Sequence, residues 1–192
     1  LASAESILLP LCLQQYGLST KQALSVYGTL SGMALSFILF PSVLTGALSV
    51  MLLPSVSESQ AAGDDASLSR TVRKTVSFCL PLGISFTVLF LLFGRFLGNF
   101  FFRSTLAGDF ILTLAWICPF LYLNHTLHSI LNGLGRTGTG FFNNLAGILI
   151  RILFVLCFVP RFGIEGYLWG LLAGQLIVCG MNLASLQEFL HN

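Results

Sequence analysis

Apolar residues run along this chain in long blocks broken by short polar stretches, and the block lengths set the first reading. A membrane span needs about 20 mostly apolar residues. The first block, about residues 1–15, stops at Tyr16-Gly17. The second runs from about 22 to 58, too long for one straight span. No polar turn divides it, so one long helix kinked at Pro41 is predicted rather than two spans. SESQAAGDDASLSRTVRK (57–74) is the one substantial hydrophilic segment. It turns at Gly63-Asp64-Asp65, and helix can enter it from both sides. Further blocks follow at about 75–97, 109–131, 141–159 and 164–187, with Arg103, Arg136 and Arg161 in the short loops between. Six such blocks without any strand pattern predict an all-α fold, a polytopic membrane bundle of about six transmembrane helices.

Composition agrees. Of 192 residues, 55% are hydrophobic and 8% charged, and the mean hydropathy is +0.89. Soluble domains carry about 25% charged residues, so the bilayer is the natural solvent. A net charge of +2 gives no electrostatic case for nucleic acid. Cys12, Cys79, Cys118, Cys157 and Cys179 lie inside apolar runs with no C-x-x-C pair, which reads as buried, unpaired thiols. The chain starts at Leu1, without a methionine or the n-region of a signal peptide. It is expected to be a fragment of a longer protein, with its first helix clipped.

GLGRTGTG (133–140) contains G-x-G-x-x-G, a dinucleotide-binding pattern that requires a preceding strand and an acid about 20 residues on. Here an apolar helix ends near Asn132, and no acid follows until Glu165. The expected structure is a tight helix-to-helix turn, with Gly133 or Gly135 at the helix C-cap and Arg136 at the membrane surface. No nucleotide and no other cofactor is expected.

Polar residues inside the spans carry the candidate chemistry. A charge at the bilayer centre costs about 2.5–3.5 kcal/mol on insertion scales and so faces a cavity or a partner. Arg151, in GILIRILFVLCFVP, lies about 15 Å into its span. Gly140, Asn144, Gly147 and Arg151 share one helix face. Either Arg151 is a cavity cation for an anionic substrate, or it is structural and bonds carbonyls of a neighbouring helix. In FLYLNHTLHSILNG, His125, His128 and Asn132 lie along one face with Asn124 beside them. H-x-x-H could ligate a metal, but no third ligand is evident. Neutral His could carry protons, and a polar face toward a cavity or helix is the plainer expectation. Glu5 is the one acid near a span interior. Gly166, Gly170 and Gly174, and Gly28 and Gly32 followed by Ser36, are small-residue faces for close helix packing. Gln175 and Asn182 form a mild polar stripe beside the former set. Trp169 is an interfacial anchor candidate, while Trp116 lies deeper in its span.

YGTLSGMALSFILFPSVLTGALSVMLLPSVSES (27–59), LNGLGRTGTGFFNNLAGILIRILF (131–154) and VPRFGIEGYLWGLLAGQL (159–176) together resemble one family. It is the stage V sporulation protein B-like polysaccharide transporter branch of the multidrug/oligosaccharidyl-lipid/polysaccharide (MOP) exporter superfamily. The resemblance covers essentially the whole chain. It implies a transporter of 12 to 14 helices, built as two six-helix lobes around a central cavity and working by alternating access. Residues 1–192 would then be the C-terminal lobe, and the N-terminal lobe of the same protein would be its missing partner. The implied substrates are lipid-linked sugars with an anionic pyrophosphate head, for cell-wall, spore-cortex or capsule synthesis. The implied site is the bacterial plasma membrane.

Charge alone does not orient the chain. Arg70, Arg73, Lys74 and Arg136 face Lys21, Arg95, Arg103 and Arg161, four against four. The cluster of three bases tips 57–74 and 133–140 toward the cytoplasm, where the resemblance also puts them. Three other functions compete with the flippase. A cation-coupled multidrug antiporter of the same superfamily would need buried carboxylates, for which Glu5 is the candidate. An intramembrane enzyme would use His125 and His128, but no nucleophile, metal set or paired carboxylates accompany them, so no enzyme is expected. A non-transporting scaffold is the fourth.

Overall fold

A computed structural model describes residues 2–191. Every regular element among them is helical: α1 Ala2–Gln15, α2 Thr20–Gly28, α3 Leu35–Leu39, α4 Ser42–Ala61, α5 Asp65–Phe102, α6 Thr105–Leu114, α7 Cys118–Gly133, α8 Thr137–Cys157, α9 Val159–Phe162 and α10 Ile164–His191. A π-helical turn (Thr29–Ala34) joins α2 to α3, and a 3-10 turn (Ala115–Ile117) joins α6 to α7. Five helical runs among the described residues are long and apolar enough to cross a membrane: Thr20–Leu39, Ala66–Phe102, Thr105–Gly133, Thr137–Cys157 and Ile164–Phe189. The chain is an all-α, multi-pass membrane helix bundle. The first predicted span, α1, is not among these five; 14 of its residues are described, to Gln15.

The helix ends follow local chemistry. Leu134 and Gly135 close α7 in a Schellman turn: Arg136 N–H donates to the Leu131 carbonyl (2.9 Å) and Gly135 N–H to that of Asn132 (3.0 Å). Gly135 has φ +70°, which glycine adopts without a Cβ penalty. GLGRTGTG is thus a turn between two helices, and the Arg136 guanidinium sits 5.0 Å from the Phe189 ring centroid. The hydrophilic segment 57–74 is helix on both sides of the turn at 62–64. There Asp64 caps α5 by accepting the Ser67 N–H at 2.9 Å.

At Pro41, where a kink is predicted, the regular helix is interrupted: α3 ends at Leu39 and α4 begins at Ser42. Proline removes one backbone donor, and three nearby carbonyls find other partners. Phe40 N–H reaches the Phe37 carbonyl at 3.3 Å, Tyr122 Oη–H donates to Ile38 at 2.9 Å, and Ser42 Oγ–H donates to Leu39 at 2.6 Å. The backbone keeps helical dihedrals through Pro41 (φ −67°, ψ −16°). The segment is therefore a helical rod with an interrupted hydrogen-bond ladder rather than a loop.

Between apolar helices in lipid there is little hydrophobic drive, so close van der Waals contact and interhelical hydrogen bonds hold the bundle. Gly166, Gly170 and Gly174 of α10 meet Phe158, Phe154 and the Gly147–Arg151 turn of α8. Gly28 and Gly32 have no close neighbour among the described residues: a Cβ at either would meet nothing within 4 Å. In that rod Leu30, Ala34 and Ile38, four apart, are the buried positions. Gly28 and Gly32 lie two residues out of phase with them, on the opposite face. Trp116 and Trp169 are both exposed and line one apolar groove of about 650 Å³ with Leu91, Phe120 and Leu172.

Candidate functional site

α8 begins at Thr137, four residues before the predicted start. Arg151 is therefore about 21 Å from its first residue and about 9 Å from Cys157, past the middle rather than at it. Its face is built by close approach of α8 to α10. A Cβ on Gly174 would lie 3.1 Å from the Gly147 carbonyl and 3.1 Å from Arg151 Cγ, and one on Gly147 would collide with Val178 Cγ2. Glycine at both places lets the two backbones meet, and the Arg151 stem packs on α10.

Beside this seam lies an open cavity of about 320 Å³. α8 contributes Asn144, Gly147 and Arg151. α10 contributes Gly174, Gln175, Val178 and Asn182. α7 contributes Asn124, His125 and His128, and the interruption at Pro41 contributes Leu39 and Ser42. The structure therefore brings Arg151, Asn144, Asn124, His125 and His128 into one concavity. Asn144 and His125 are exposed in it, and Asn124 is buried. Asn124 Nδ2–H donates to the Gln175 carbonyl (2.9 Å) and to Gln175 Oε1 (2.8 Å), while its Oδ1 is buried without a partner. The His128 ring lies over Gly140, where a Cβ would come within 2.9 Å of it. His125 Nδ1 is 3.4 Å from Ser49 Oγ, whose hydroxyl already donates to the Thr45 carbonyl at 2.8 Å.

Glu5 stands against Arg151 and is not among the residues lining this cavity. Arg151 Nη2 stands 3.1 Å from Glu5 Oε1, with side-chain exposures of 22% and 10%. Tyr167 Oη–H donates to Glu5 Oε2 at 3.3 Å. The pair is close in distance, yet Oε1 has no partner with hydrogen-bond geometry, so the contact is an ion pair rather than an aligned fork. A second cavity of about 270 Å³ is lined by Glu5, Tyr27, Ser31, Tyr167 and Arg151. Arg151, Leu39, Leu121 and Gln175 border both cavities.

Spacing on a single helix marked Asn144, Arg151 and the His pair. Tyr167 and Asn143 went unmarked. Asn143 Nδ2–H donates to Asn182 Oδ1 at 2.9 Å in a buried contact. Both residues acquire their roles from partners far along the chain, which one-helix periodicity does not register.

A family model described as MatE matches residues 11–157. Stage V sporulation protein B of Bacillus subtilis (strain 168) is 27% identical over 176 residues, covering 91% of this chain and 34% of that protein. Sporulation protein YkvU of the same organism is 24% identical over 176 residues, covering 88% of this chain and 39% of that protein. The matched region thus spans well under half the length of these curated relatives. No solved structure matches the chain.

Proposed function

The chain belongs to the MatE family, and on that premise we propose that it is the C-terminal lobe of a membrane flippase or exporter that moves a lipid-linked oligosaccharide or polysaccharide precursor by alternating access. Sporulation in the names of both relatives favours a wall or spore-cortex precursor as cargo. The bacterial plasma membrane is the proposed location, with 57–74 and 133–140 on the cytoplasmic side. An N-terminal lobe of the same protein is the proposed partner across the cavity.

One observation carries the reading. A helix bundle suited to lipid has a concavity lined by Arg151, Asn144, Asn124, His125 and His128, open to the outside of the bundle. Lipid tails cannot solvate those groups, so the concavity faces water, cargo or another part of the protein. A guanidinium there offers a planar set of donors to phosphate oxygens, as an anionic pyrophosphate head requires. Glu5, the acid that a cation-coupled drug antiporter would need, stands against Arg151. A carboxylate paired with a guanidinium is less free to exchange a cation, which weighs against the antiporter.

The test is transport by full-length protein carrying Arg151→Ala or Arg151→Lys, normalised to folded protein. The reading expects near-complete loss with Ala and partial retention with Lys, which keeps the charge but not the fork. Undiminished transport by well-folded Arg151→Ala would remove Arg151 from the cargo path.

A further inference from the structure

Arg151 already has an anion beside it. Glu5 is the buried acid among the described residues, and its carboxylate stands 3.1 Å from Arg151 Nη2. We infer that Glu5 sets a charge threshold at this site: it is a resident counter-ion that yields Arg151 to a multiply charged anion such as a diphosphate, but not to a neutral or singly charged ligand. This rests on the anion-binding role proposed for Arg151.

Three features support the exchange. First, Glu5 Oε1 has no hydrogen-bond alignment. The resident contact uses Coulomb attraction without the paired donors that make Arg–carboxylate forks strong. Second, Arg151 borders both cavities. Glu5 lines only the second of these cavities, so the cavity that carries Asn144 and His125 reaches Arg151 without Glu5 in its wall. Third, a displaced carboxylate is not stranded. Tyr167 Oη–H remains on Oε2 at 3.3 Å, and Tyr27 and Ser31 line the space around it.

The discrimination follows from charge. Attraction to one guanidinium scales with the ligand's charge at equal distance. A singly charged anion therefore only matches the carboxylate it must displace, and a neutral amphiphile cannot compete. A diphosphate carries more charge than the carboxylate and so outcompetes it. Glu5 is thus a specificity-determining residue that need not touch cargo.

The sign of the expected result separates this from a structural role. Purified full-length protein is titrated with inorganic pyrophosphate, and with acetate as the singly charged probe, by calorimetry. Parent protein should bind pyrophosphate and ignore acetate. Glu5→Gln removes the competitor, so pyrophosphate should bind about fivefold or more tightly, and acetate binding should appear. A merely structural Glu5 predicts weaker pyrophosphate binding on the same change. Unchanged or weakened affinity in folded Glu5→Gln overturns the inference. If that variant does not fold, Glu5→Asp carries the test: it keeps the charge but shortens the reach, and should give a smaller tightening. Unchanged or weaker binding there overturns the inference too. Arg151→Gln keeps the two failures apart. Pyrophosphate binding that is absent from every variant, or indifferent to Arg151→Gln, overturns the anion-site reading itself, whatever Glu5 does.

Discussion

Asn143 and Asn144 are neighbours in sequence with opposite environments. Asn143 is buried and donates to Asn182 across the α8–α10 seam at 2.9 Å, while Asn144 is exposed on the cavity wall. Interhelical hydrogen bonds in membranes average about 0.6 kcal/mol and reach about 1.7 kcal/mol. Asn143→Ala should therefore lower unfolding stability in detergent by about that range, the upper end because Asn182 Oδ1 is left buried. Transport per folded molecule should stay unchanged. Asn144→Ala should do the reverse, with stability nearly constant and transport reduced. A thermal melt and a transport assay on each variant check the pair, and equal behaviour of the two would sink the assignment of faces. The sequence marked Asn144 because it stands four residues from Gly140 and seven from Arg151. It could not mark Asn143, whose partner lies 39 positions away.

Within elements, proline positions were readable and their compensation was not. Pro41 announces an interruption by removing a backbone donor. The hydroxyl that receives the Ile38 carbonyl comes from Tyr122, 84 positions on, and no local pattern encodes it. The 3-10 turn at Ala115–Ile117 was likewise invisible inside a continuous apolar run. Gly28 and Gly32 misled for a related reason: spacing of four puts small residues on one face but does not say which way that face points. The Tyr122 bond has a clear test. Tyr122→Phe should destabilise the parent by about 1 kcal/mol, the usual worth of such a bond plus the unmet carbonyl. In a Pro41→Ala background the helix can return a backbone donor to Ile38, so the same substitution should cost much less. A double-mutant cycle by unfolding in detergent measures the coupling. A Tyr122→Phe effect of equal size in both backgrounds would show that the hydroxyl is not there to serve the interruption.

For the whole molecule, the span pattern was legible because hydropathy reads membrane thickness directly, whereas orientation was not, with bases evenly split between the two sets of loops. The structure groups those loops into two ends. Ser57 Oγ–H donates to the Gly133 carbonyl at 2.8 Å and Gln60 Nε2–H to that of Leu134 at 3.2 Å, so the turns at 62–64 and 134–136 lie together. Arg136 over Phe189 brings the end of α10 to the same place. The traverses of α5 and α8 carry the chain from there to Arg103 and to Phe158, and Gly163 meets the Tyr16 ring at that far end, where a Cβ would lie 3.1 Å from it. The two groups should therefore be accessible from opposite faces of the membrane. Among the described cysteines Cys157 is the exposed one, so single cysteines are read in a Cys157→Ser background against the labelling of that background alone. Ala62→Cys and Thr137→Cys should react with an impermeant thiol reagent from one face, and Thr105→Cys and Arg161→Cys from the other. The proposed orientation adds that the first pair reacts only after the cytoplasmic face is exposed, as in inverted vesicles. Reaction of the first pair in intact cells would reverse the orientation and leave the fold intact. Reaction of Ala62→Cys and Thr137→Cys from different faces would contradict the pairing of the two turns, and with it the bundle that places Arg151 beside the cavity.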